Sequence, residues 1–489
     1  MPVLAIDAGT TGVTALIVNE DGRIDGRGYR EFAQHFPEPS WVEHVPEEIW
    51  QATLAACRIA LDRSGTTPSC VGITNQRETA VVWEARTLAA PRPAIVWQDR
   101  RTAGVCARLR EAGHEPRVAE LTGLRLDPYF TGSKFTWMAE NDPRSWEEVT
   151  GGRAVVGTVD SYLVARMTGG ARHVTDPSNA SRTLLYDLEA GGWSAELCEL
   201  FGVPENALPE IVPNHGEIGR TDPEAFLGLD LPISGMAGDQ QAALFGQTCF
   251  APGDVKCTYG TGSFILINTG NEIVRSEAGL LTTVAWQTPS GEITYALEGS
   301  IFVTGAAVQW LRDGLGLIDT APESEALART VPDSGGVVFV PALTGLGAPH
   351  WDPDARGTIF GITRGTTRGH LARATLEAIA FEVRDVVEVM TGAAGLKMPA
   401  LKADGGASGN DLLMQFQADQ LGTPVERPAI QETTALGAAF LAGLGSGLWS
   451  SPGELRATWN LQRRFDPGQR DDAAYARWLK AVDRSRSWA

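Results

Sequence analysis

The chain has 489 residues, of which 43% are hydrophobic and 21% charged, and its formal net charge is −19. This length exceeds what one hydrophobic core usually supports and predicts two domains, which we place at residues 1–248 and 249–489. The acidic balance argues against nucleic acid and anionic membrane surfaces as partners. The longest mainly apolar tract, 435–448, is short and broken by glycine, so no membrane span is expected. Without a basic leader before the first apolar run, the sequence predicts a cytoplasmic protein.

The N-terminal residues predict a strand, a turn and a second strand. Residues 3–6 form a short apolar run that ends at Asp7, and residues 13–18 form another. The turn at 8–12 between them is rich in glycine and threonine. Such turns direct backbone N–H groups toward bound phosphate. An Asp-Gly pair at 21–22 then supplies a hairpin signal.

The next elements place polar clusters directly after apolar strands. A proline and two glutamates begin a predicted helix at 46–63. Predicted strands at 71–74 and 94–97 each run into polar residues, which is where α/β sheets bind their ligands. Residues 153–168 indicate another strand and helix, and the Pro- and Gly-rich stretch 204–232 resembles a surface excursion.

A single carboxylate stands near the middle of the chain, in the stretch Gly-Asp-Gln-Gln at 238–241. Asp239 precedes a predicted helix at 240–246. Taken alone, the stretch is explained equally well by helix capping and by catalysis.

The second half repeats the pattern of the first. Residues 255–259, the turn 260–262 and residues 264–268 again predict strand, glycine-threonine turn and strand, as in a duplicated βαβ-type domain. Predicted helices follow at 306–315, 370–390, 410–421 and 433–444. A third glycine-rich turn at 404–410 is also explained by a plain strand-to-helix connection. One acidic residue between two phosphate turns suggests phosphoryl transfer to a hydroxyl group.

Several long stretches, in the same order, are similar to the FGGY family of carbohydrate kinases, and within it to members that act on glycerol. The similarity covers essentially the whole chain, from about residue 3 to residue 488. The matching stretches are 41–50, 72–79, 95–102, 176–183, 238–246 and 296–300, with the two family signatures at 129–141 and 357–377. This many matches in one order is far more specific than a single glycine motif.

The resemblance implies an α/β fold of two actin-like (ribonuclease-H-like) domains, with a nucleotide and substrate cleft between them. It implies phosphorylation of glycerol to sn-glycerol 3-phosphate by ATP with Mg²⁺, in a dimer or tetramer. Carried over by position, Asp239 is expected to act as the general base. Asp7 is expected to hold the magnesium ion through water.

The resemblance also implies two sets of binding residues. Those expected at glycerol are Arg77, Glu78, Trp97, Tyr129, Asp239, Gln240 and Phe264. Those expected at the nucleotide and its phosphates are Thr10, Thr11, Gly260, Thr261, Gly305, Gln309, Gly406, Ala407 and Asn410. Without the resemblance, Trp97 and Phe264 would be read as core residues, and the Arg77–Glu78 pair as a solvated ion pair.

The first phosphate turn departs from the family pattern. Glycerol-phosphorylating members carry an arginine at the position of Thr14, and Ala8 replaces a glutamine. Losing one donor to a transferred phosphoryl group costs on the order of 10²-fold in rate unless another cation substitutes. Two alternatives follow, an FGGY kinase for another short polyol or sugar, and a non-catalytic nucleotide-binding actin-like protein. The intact polyol set and the retained Asp7 and Asp239 favour an active glycerol-phosphorylating enzyme.

Overall fold

The computed structural model describes residues 2–488, which form two large sheets with helices on their faces. The strands are β1 (Val3–Ala8), β2 (Gly12–Val18), β3 (Ile24–Glu31), β4 (Glu43–His44), β5 (Cys70–Asn75), β6 (Val81–Glu84), β7 (Ala94–Ile95), β8 (Ala154–Gly157), β9 (Val174–Thr175), β10 (Tyr186–Asp187), β11 (Gly192–Trp193), β12 (Glu210–Ile211), β13 (His215–Arg220), β14 (Pro232–Gly238), β15 (Val255–Tyr259), β16 (Ser263–Gly270), β17 (Leu281–Gln287), β18 (Ile293–Ile301), β19 (Val338–Val340), β20 (Thr358–Phe360), β21 (Leu401–Asp404), β22 (Val425–Pro428) and β23 (Leu461–Phe465). The helices are α1 (Pro46–Ser64), α2 (Ala103–Glu111), α3 (Glu115–Thr122), α4 (Thr131–Asn141), α5 (Pro143–Thr150), α6 (Val159–Met167), α7 (Pro177–Ala180), α8 (Ala195–Phe201), α9 (Asp239–Gly246), α10 (Gly305–Gln309), α11 (Glu323–Ala328), α12 (Arg368–Ala394), α13 (Asp411–Leu421), α14 (Thr433–Gly445), α15 (Pro452–Thr458) and α16 (Asp472–Ser485). Short 3-10 segments lie at Glu205–Ala207 and Gly406–Gly409, and a π-helical turn lies at Trp310–Gly314.

The two large sheets share one strand arrangement. The first has the order β13-β14-β5-β1-β2-β3, and the second has the order β17-β18-β16-β15-β21-β22-β23. In each, an antiparallel hairpin (β1–β2 or β15–β16) is extended on one side by an antiparallel strand. On the other side two parallel strands follow, β5 and β14 in the first sheet and β21 and β22 in the second. The predicted repeat of strand, turn and strand is therefore confirmed, although each copy opens with an antiparallel hairpin rather than a βαβ unit.

Helices cover both faces of the first sheet. Leu4, Ile6 and Ile17 pack on one face with apolar residues of α1 and α6, and Val3, Ala5 and Leu16 pack on the other face with α9 and α14. Helix α1 begins with a proline and two glutamates, which suit the positive end of the helix dipole, and ends at a left-handed glycine with φ 63°. The second sheet packs against α12 and α13 in a separate core.

Helix α14 lies between β22 and β23 of the second sheet in sequence but packs on the first sheet and α9. Glycines allow this close approach. A Cβ on Gly437 would lie 1.8 Å from the Ala242 carbonyl oxygen, and one on Gly72 would lie 2.1 Å from the Ala438 carbonyl oxygen. Backbone-to-backbone packing at these positions joins the two halves of the chain.

The structure corrects four local predictions. The strand at 94–97 ends at Ile95, because β7 pairs with only the two residues of β4, and Trp97 lies in the following turn. The helix at 306–315 is two segments, since α10 gives way to the π-helical turn, where Trp310 stacks on Phe339. The stretch 204–232 is not only a surface excursion, because β13 forms an edge of the first sheet. Asp239 does not cap α9, since the cap residue is Gly238 and no side chain caps that end.

Within residues 2–488, no helix combines the length and the apolar character needed to cross a membrane.

Candidate active site

Both predicted phosphate turns lie at the same end of their sheets. The first joins β1 to β2 and contains Thr10 and Thr11, and the second joins β15 to β16 and contains Gly260 and Thr261. The second turn is held by the start of α10, where Gly305 N–H donates to the Gly260 carbonyl at 2.9 Å. A Cβ on Gly305 would lie 2.6 Å from the same oxygen, so only glycine fits there.

The third glycine-rich turn lies beside the second. A Cβ on Gly405 would lie 2.6 Å from the Tyr259 carbonyl oxygen, and Gly405 has φ +83°. The turn continues through Gly406 and Ala407 to Asn410, whose Oδ1 accepts from Leu413 N–H at 3.0 Å and so begins α13. Apart from Thr10 and Thr11 in the first turn, the nucleotide set expected from the resemblance lies at one corner of the second sheet, with Gln309 at the end of the neighbouring α10.

Asp7 lies at the end of β1, between hydroxyl groups. Its cross-strand neighbours are Thr14 on β2 and Thr74 on β5, and paired residues project from the same face of a sheet. Burial and the nearby Asp239 carboxylate raise the pKa of Asp7 to about 7. The buried Thr74 hydroxyl has no hydrogen-bond partner within the described residues 2–488. This corner therefore combines two carboxylates that repel each other with an unused hydroxyl oxygen.

Arg77 is the centre of a buried ion network that joins the two sheets. It follows β5, and its Nη1 and Nη2 donate to Glu298 of β18 at 2.5 and 3.0 Å. Arg182 donates to Glu298 at 3.0 Å and to Glu78 at 2.7 Å. All four side chains are at most 2% exposed. The Arg77–Glu78 pair is therefore buried rather than solvated.

Three aromatic rings enclose the space next to this network. The ring centroids of Trp97 and Tyr129 are 5.6 Å apart, and those of Trp97 and Phe264 are 6.4 Å apart. Arg77 Nη2 donates to the Tyr129 hydroxyl at 3.4 Å. The Trp97 indole N–H donates to the Thr10 hydroxyl at 2.9 Å, which ties the aromatic group to the first phosphate turn.

Asp239 lies between the ion network and the phosphate turns. Its Oδ1 is 3.1 Å from Arg77 Nε and accepts from Gln240 N–H at 2.7 Å. Burial raises the pKa of Asp239, while Arg77 and Lys256 oppose that effect. Lys256, buried on β15, donates to Gln240 Oε1 at 2.5 Å. Because Oδ1 makes both contacts, Oδ2 is the oxygen left to face a substrate.

The structure brings the predicted polyol residues into one group and adds three that sequence reasoning missed. Glu298, Arg182 and Lys256 were not predicted, although the first two lie in stretches that matched the family, 296–300 and 176–183. For Glu298 and Lys256 the sequence did contain a signal, which is the presence of a charged residue inside an apolar strand. A glutamate inside the apolar strand Ile293–Ile301 and a lysine inside Val255–Tyr259 each require a buried partner.

Comparisons with known proteins identify the family. The model of the FGGY family of carbohydrate kinases matches residues 2–246 with its N-terminal domain and residues 255–446 with its C-terminal domain. The chain belongs to the FGGY family of carbohydrate kinases. Its fold is therefore the two-domain FGGY kinase fold, with actin-like sheets.

Named members of the FGGY family resemble the chain over its full length. A glycerol kinase of Symbiobacterium thermophilum is 53% identical over 100% of this chain and 99% of its own. A glycerol kinase of Myxococcus xanthus is 54% identical over 99% of each. Among solved structures, the Plasmodium falciparum glycerol kinase with ADP superposes with a TM-score of 0.92 at 35% identity, covering 99% of this chain and 98% of its own.

Proposed function

We propose that this FGGY kinase phosphorylates glycerol at the expense of ATP, giving sn-glycerol 3-phosphate and ADP. The observation that carries the proposal is the buried Arg77–Glu298–Arg182–Glu78 network, which meets Asp239 between two phosphate turns. A small triol needs several fixed donors and acceptors within a few ångströms, and this network supplies both. The full-length similarity to named glycerol kinases supports the same substrate.

The polar and the aromatic groups contact different parts of glycerol. Arg77 donates to a hydroxyl oxygen of glycerol, while Glu78 and Asp239 accept from its hydroxyl protons. Trp97 and Phe264 cover the carbon skeleton. Since Arg77 is held by Glu298 from the other sheet, the site is complete only when both sheets are in contact.

Asp239 then acts on the hydroxyl that reacts. As that oxygen forms its bond to the γ-phosphorus, its proton passes to Asp239 Oδ2, and the bond from phosphorus to the bridging oxygen breaks with its electron pair leaving on ADP. Burial, which raises the pKa of Asp239, makes the carboxylate a better base than a solvated one. Thr10, Thr11, Gly260 and Thr261 orient the phosphates.

The residues around Asp7 fit a magnesium ion. Two carboxylates and an unpartnered Thr74 hydroxyl meet there, and Mg²⁺ is commonly bound through one or two carboxylates and water. We assign the ion to Asp7. When bound, it neutralises charge on the transferred phosphoryl oxygens. Among residues 2–488, no group of three or more His, Cys, Asp or Glu side chains is placed to hold a metal, so protein carboxylates alone do not form a closed cage.

The test is Mg²⁺-dependent ADP release by the purified protein with glycerol, erythritol, dihydroxyacetone, xylulose and gluconate. We expect a strong preference for glycerol and, in Asp239→Asn, a fall in kcat of about 10²- to 10⁴-fold with ADP binding retained. Turnover of another polyol, without turnover of glycerol, would overturn the assignment of glycerol as the substrate. ATP binding without turnover on the whole panel would overturn the catalytic assignment.

The division into domains 1–248 and 249–489 and the dimer or tetramer stay predictions. Limited proteolysis would locate the boundary between the domains. Light scattering would give the number of subunits.

A further inference from the structure

Two glutamine side chains contact the backbone of the first phosphate turn, and a histidine joins them. Gln34 follows β3, His44 ends β4 and Gln76 follows β5. Gln34 Nε2 donates to the Thr10 carbonyl at 2.8 Å, and Gln76 Nε2 donates to the Gly9 carbonyl at 3.1 Å. His44 joins the two amides. Its Nε2 is 2.7 Å from Gln34 Oε1, and its Nδ1 is 3.3 Å from Gln76 Nε2.

Only one arrangement of protons satisfies all these contacts. Because each glutamine donates through Nε2 to a carbonyl of the turn, Gln34 must present Oε1 to His44. The imidazole is therefore neutral, with its proton on Nε2, and its Nδ1 accepts from the second N–H of Gln76. Gln76 Oε1 in turn accepts from the Thr79 hydroxyl at 2.8 Å, so the chain of hydrogen bonds is complete.

The surroundings of His44 favour this neutral form. His44 is fully buried, and its ring meets Phe32 edge-on with centroids 5.0 Å apart. Burial, and to a smaller extent His35, lower its pKa to about 4. A second proton would lie on Nδ1, facing the N–H groups of Gln76, where it would repel a donor.

We propose that Gln34, His44 and Gln76 are positioning residues that fix the first phosphate turn for the γ-phosphate of ATP. This inference rests on the proposed function, since the turn is the one assigned to the transferred phosphoryl group. Gln34 and Gln76 bind the carbonyls of Thr10 and Gly9, and His44 holds both amides in place, which leaves the N–H groups of the turn available to phosphate oxygens. Such external support matters here because Thr14 supplies no guanidinium to hold the phosphate in place.

A purely structural role is the competing explanation, and His173 provides its matched control. His173 belongs to the same half of the chain, has an edge-on aromatic neighbour in Trp83 and has a pKa lowered by burial to about 4. Its Nε2 contacts the Val156 carbonyl at 3.1 Å and not the phosphate turn. Replacement of either histidine by phenylalanine keeps an aromatic ring and removes the ring nitrogens, but only the replacement of His44 removes the support of the turn.

The experiment compares His44→Phe, Gln34→Glu and His173→Phe with wild type. It measures kcat, the KM for each substrate, and the affinities for a non-hydrolysable ATP analogue and for glycerol by calorimetry. For His44→Phe and Gln34→Glu we expect kcat/KM for ATP to fall about 10- to 100-fold, because a displaced phosphate is poorly aligned for transfer. Affinity for the ATP analogue should fall at least about 5-fold, while glycerol affinity without nucleotide stays within about 2-fold. His173→Phe should keep wild-type kinetics. Gln34→Glu keeps the proposal testable if His44→Phe fails to fold, since Gln34 is only half-buried.

Wild-type kinetics in both His44→Phe and Gln34→Glu would overturn the inference, as would an equal loss in His173→Phe. A proton found on Nδ1 of His44 by nitrogen-15 NMR would also overturn it. If the wild type itself releases no ADP with glycerol, the proposed function fails instead. In that case the affinities for the ATP analogue alone decide whether the three side chains support the turn.

Discussion

Replacement of Glu298 by glutamine tests the ion network that joins the two sheets. Glu298 accepts two hydrogen bonds from Arg77 and one from Arg182, and its side chain is fully buried. The amide has almost the same shape but carries no charge, and it offers one acceptor oxygen instead of two. The two buried guanidinium groups would then face only the carboxylates of Glu78 and Asp239.

The loss of stability follows from the pKa of Glu298. Burial alone would raise this pKa, but Arg182 and Arg77 outweigh burial and lower it from its ordinary 4.5 to about 2. At ~1.4 kcal/mol for each pH unit, this difference corresponds to about 3 kcal/mol of unfolding free energy. Breaking a buried pair by removing one partner costs a similar amount, about 3–5 kcal/mol. Because the folded-state pKa is depressed, the stabilisation is fully present above about pH 4.5 and is lost as the pH falls toward 2.

The assay is urea unfolding of wild type and Glu298→Gln at several pH values from 6 to 8, followed by tryptophan fluorescence and circular dichroism. The unfolding transitions followed by the two probes must coincide before a two-state free energy is taken from the curves. We expect a deficit of about 3 kcal/mol that does not change across this pH range. We also expect the KM for glycerol to rise at least about 10-fold, because Arg77 loses the partner that orients it.

Glu388→Gln is the control. Glu388 also bonds to two arginines, at 2.8 and 2.7 Å, but its side chain is 42% exposed. Exposed ion pairs contribute little, so its loss should stay within about 1 kcal/mol. A Glu298→Gln protein with wild-type unfolding free energy and wild-type KM would refute the reasoning about the buried network.

Four further variants test other parts of the structure. Thr14→Arg places a guanidinium beside Asp7 and should raise kcat by up to ~10²-fold, whereas an unchanged rate of ADP release would show that this position does not limit turnover. Asp7→Asn should raise the melting temperature of the ligand-free protein most above about pH 7, and this gain should fade toward pH 4. The reason is that the raised pKa of Asp7 makes its charged form costly at high pH. A gain at pH 4 equal to that at pH 8 would contradict this explanation. Gly437→Ala drives a Cβ to within 1.8 Å of a backbone oxygen and should cost at least about 1–3 kcal/mol in urea unfolding. Its control Gly392→Ala, on an open face of α12, should be neutral or stabilising by up to ~1 kcal/mol, and equal effects in the two glycine variants would rule out the packing argument.

Much of the fold was predictable because its signals are local. The strand–turn–strand repeat was visible in two runs of apolar residues around glycine and threonine, and both hairpins have the expected positions. Helix α1 was predicted to within a residue because a proline and two acids mark its start. By contrast, the π-helical turn after Gln309 has no such mark, since its path depends on how Trp310 packs on Phe339. The same holds for Trp97, whose apolar neighbours suggested a longer strand than the two-residue β4–β7 pairing permits.

The candidate site shows the limit of local signals more sharply. Arg77 and its partner Glu298 are 221 residues apart, and Gln76 and His44 are 32 apart, so neither pair shares a helix face or a strand. A hydrophobic pattern records which residues are buried, but it does not record which buried charge meets which. What a sequence does record is the need for a partner, because a charged side chain inside an apolar strand is stable only when its charge is matched. Glu298 of the second sheet has its charge matched by Arg77, which follows β5, and Lys256 of the same sheet donates a hydrogen bond to Gln240 of α9. It follows that the charges most easily overlooked in this sequence are those that hold the polyol site together across the two sheets.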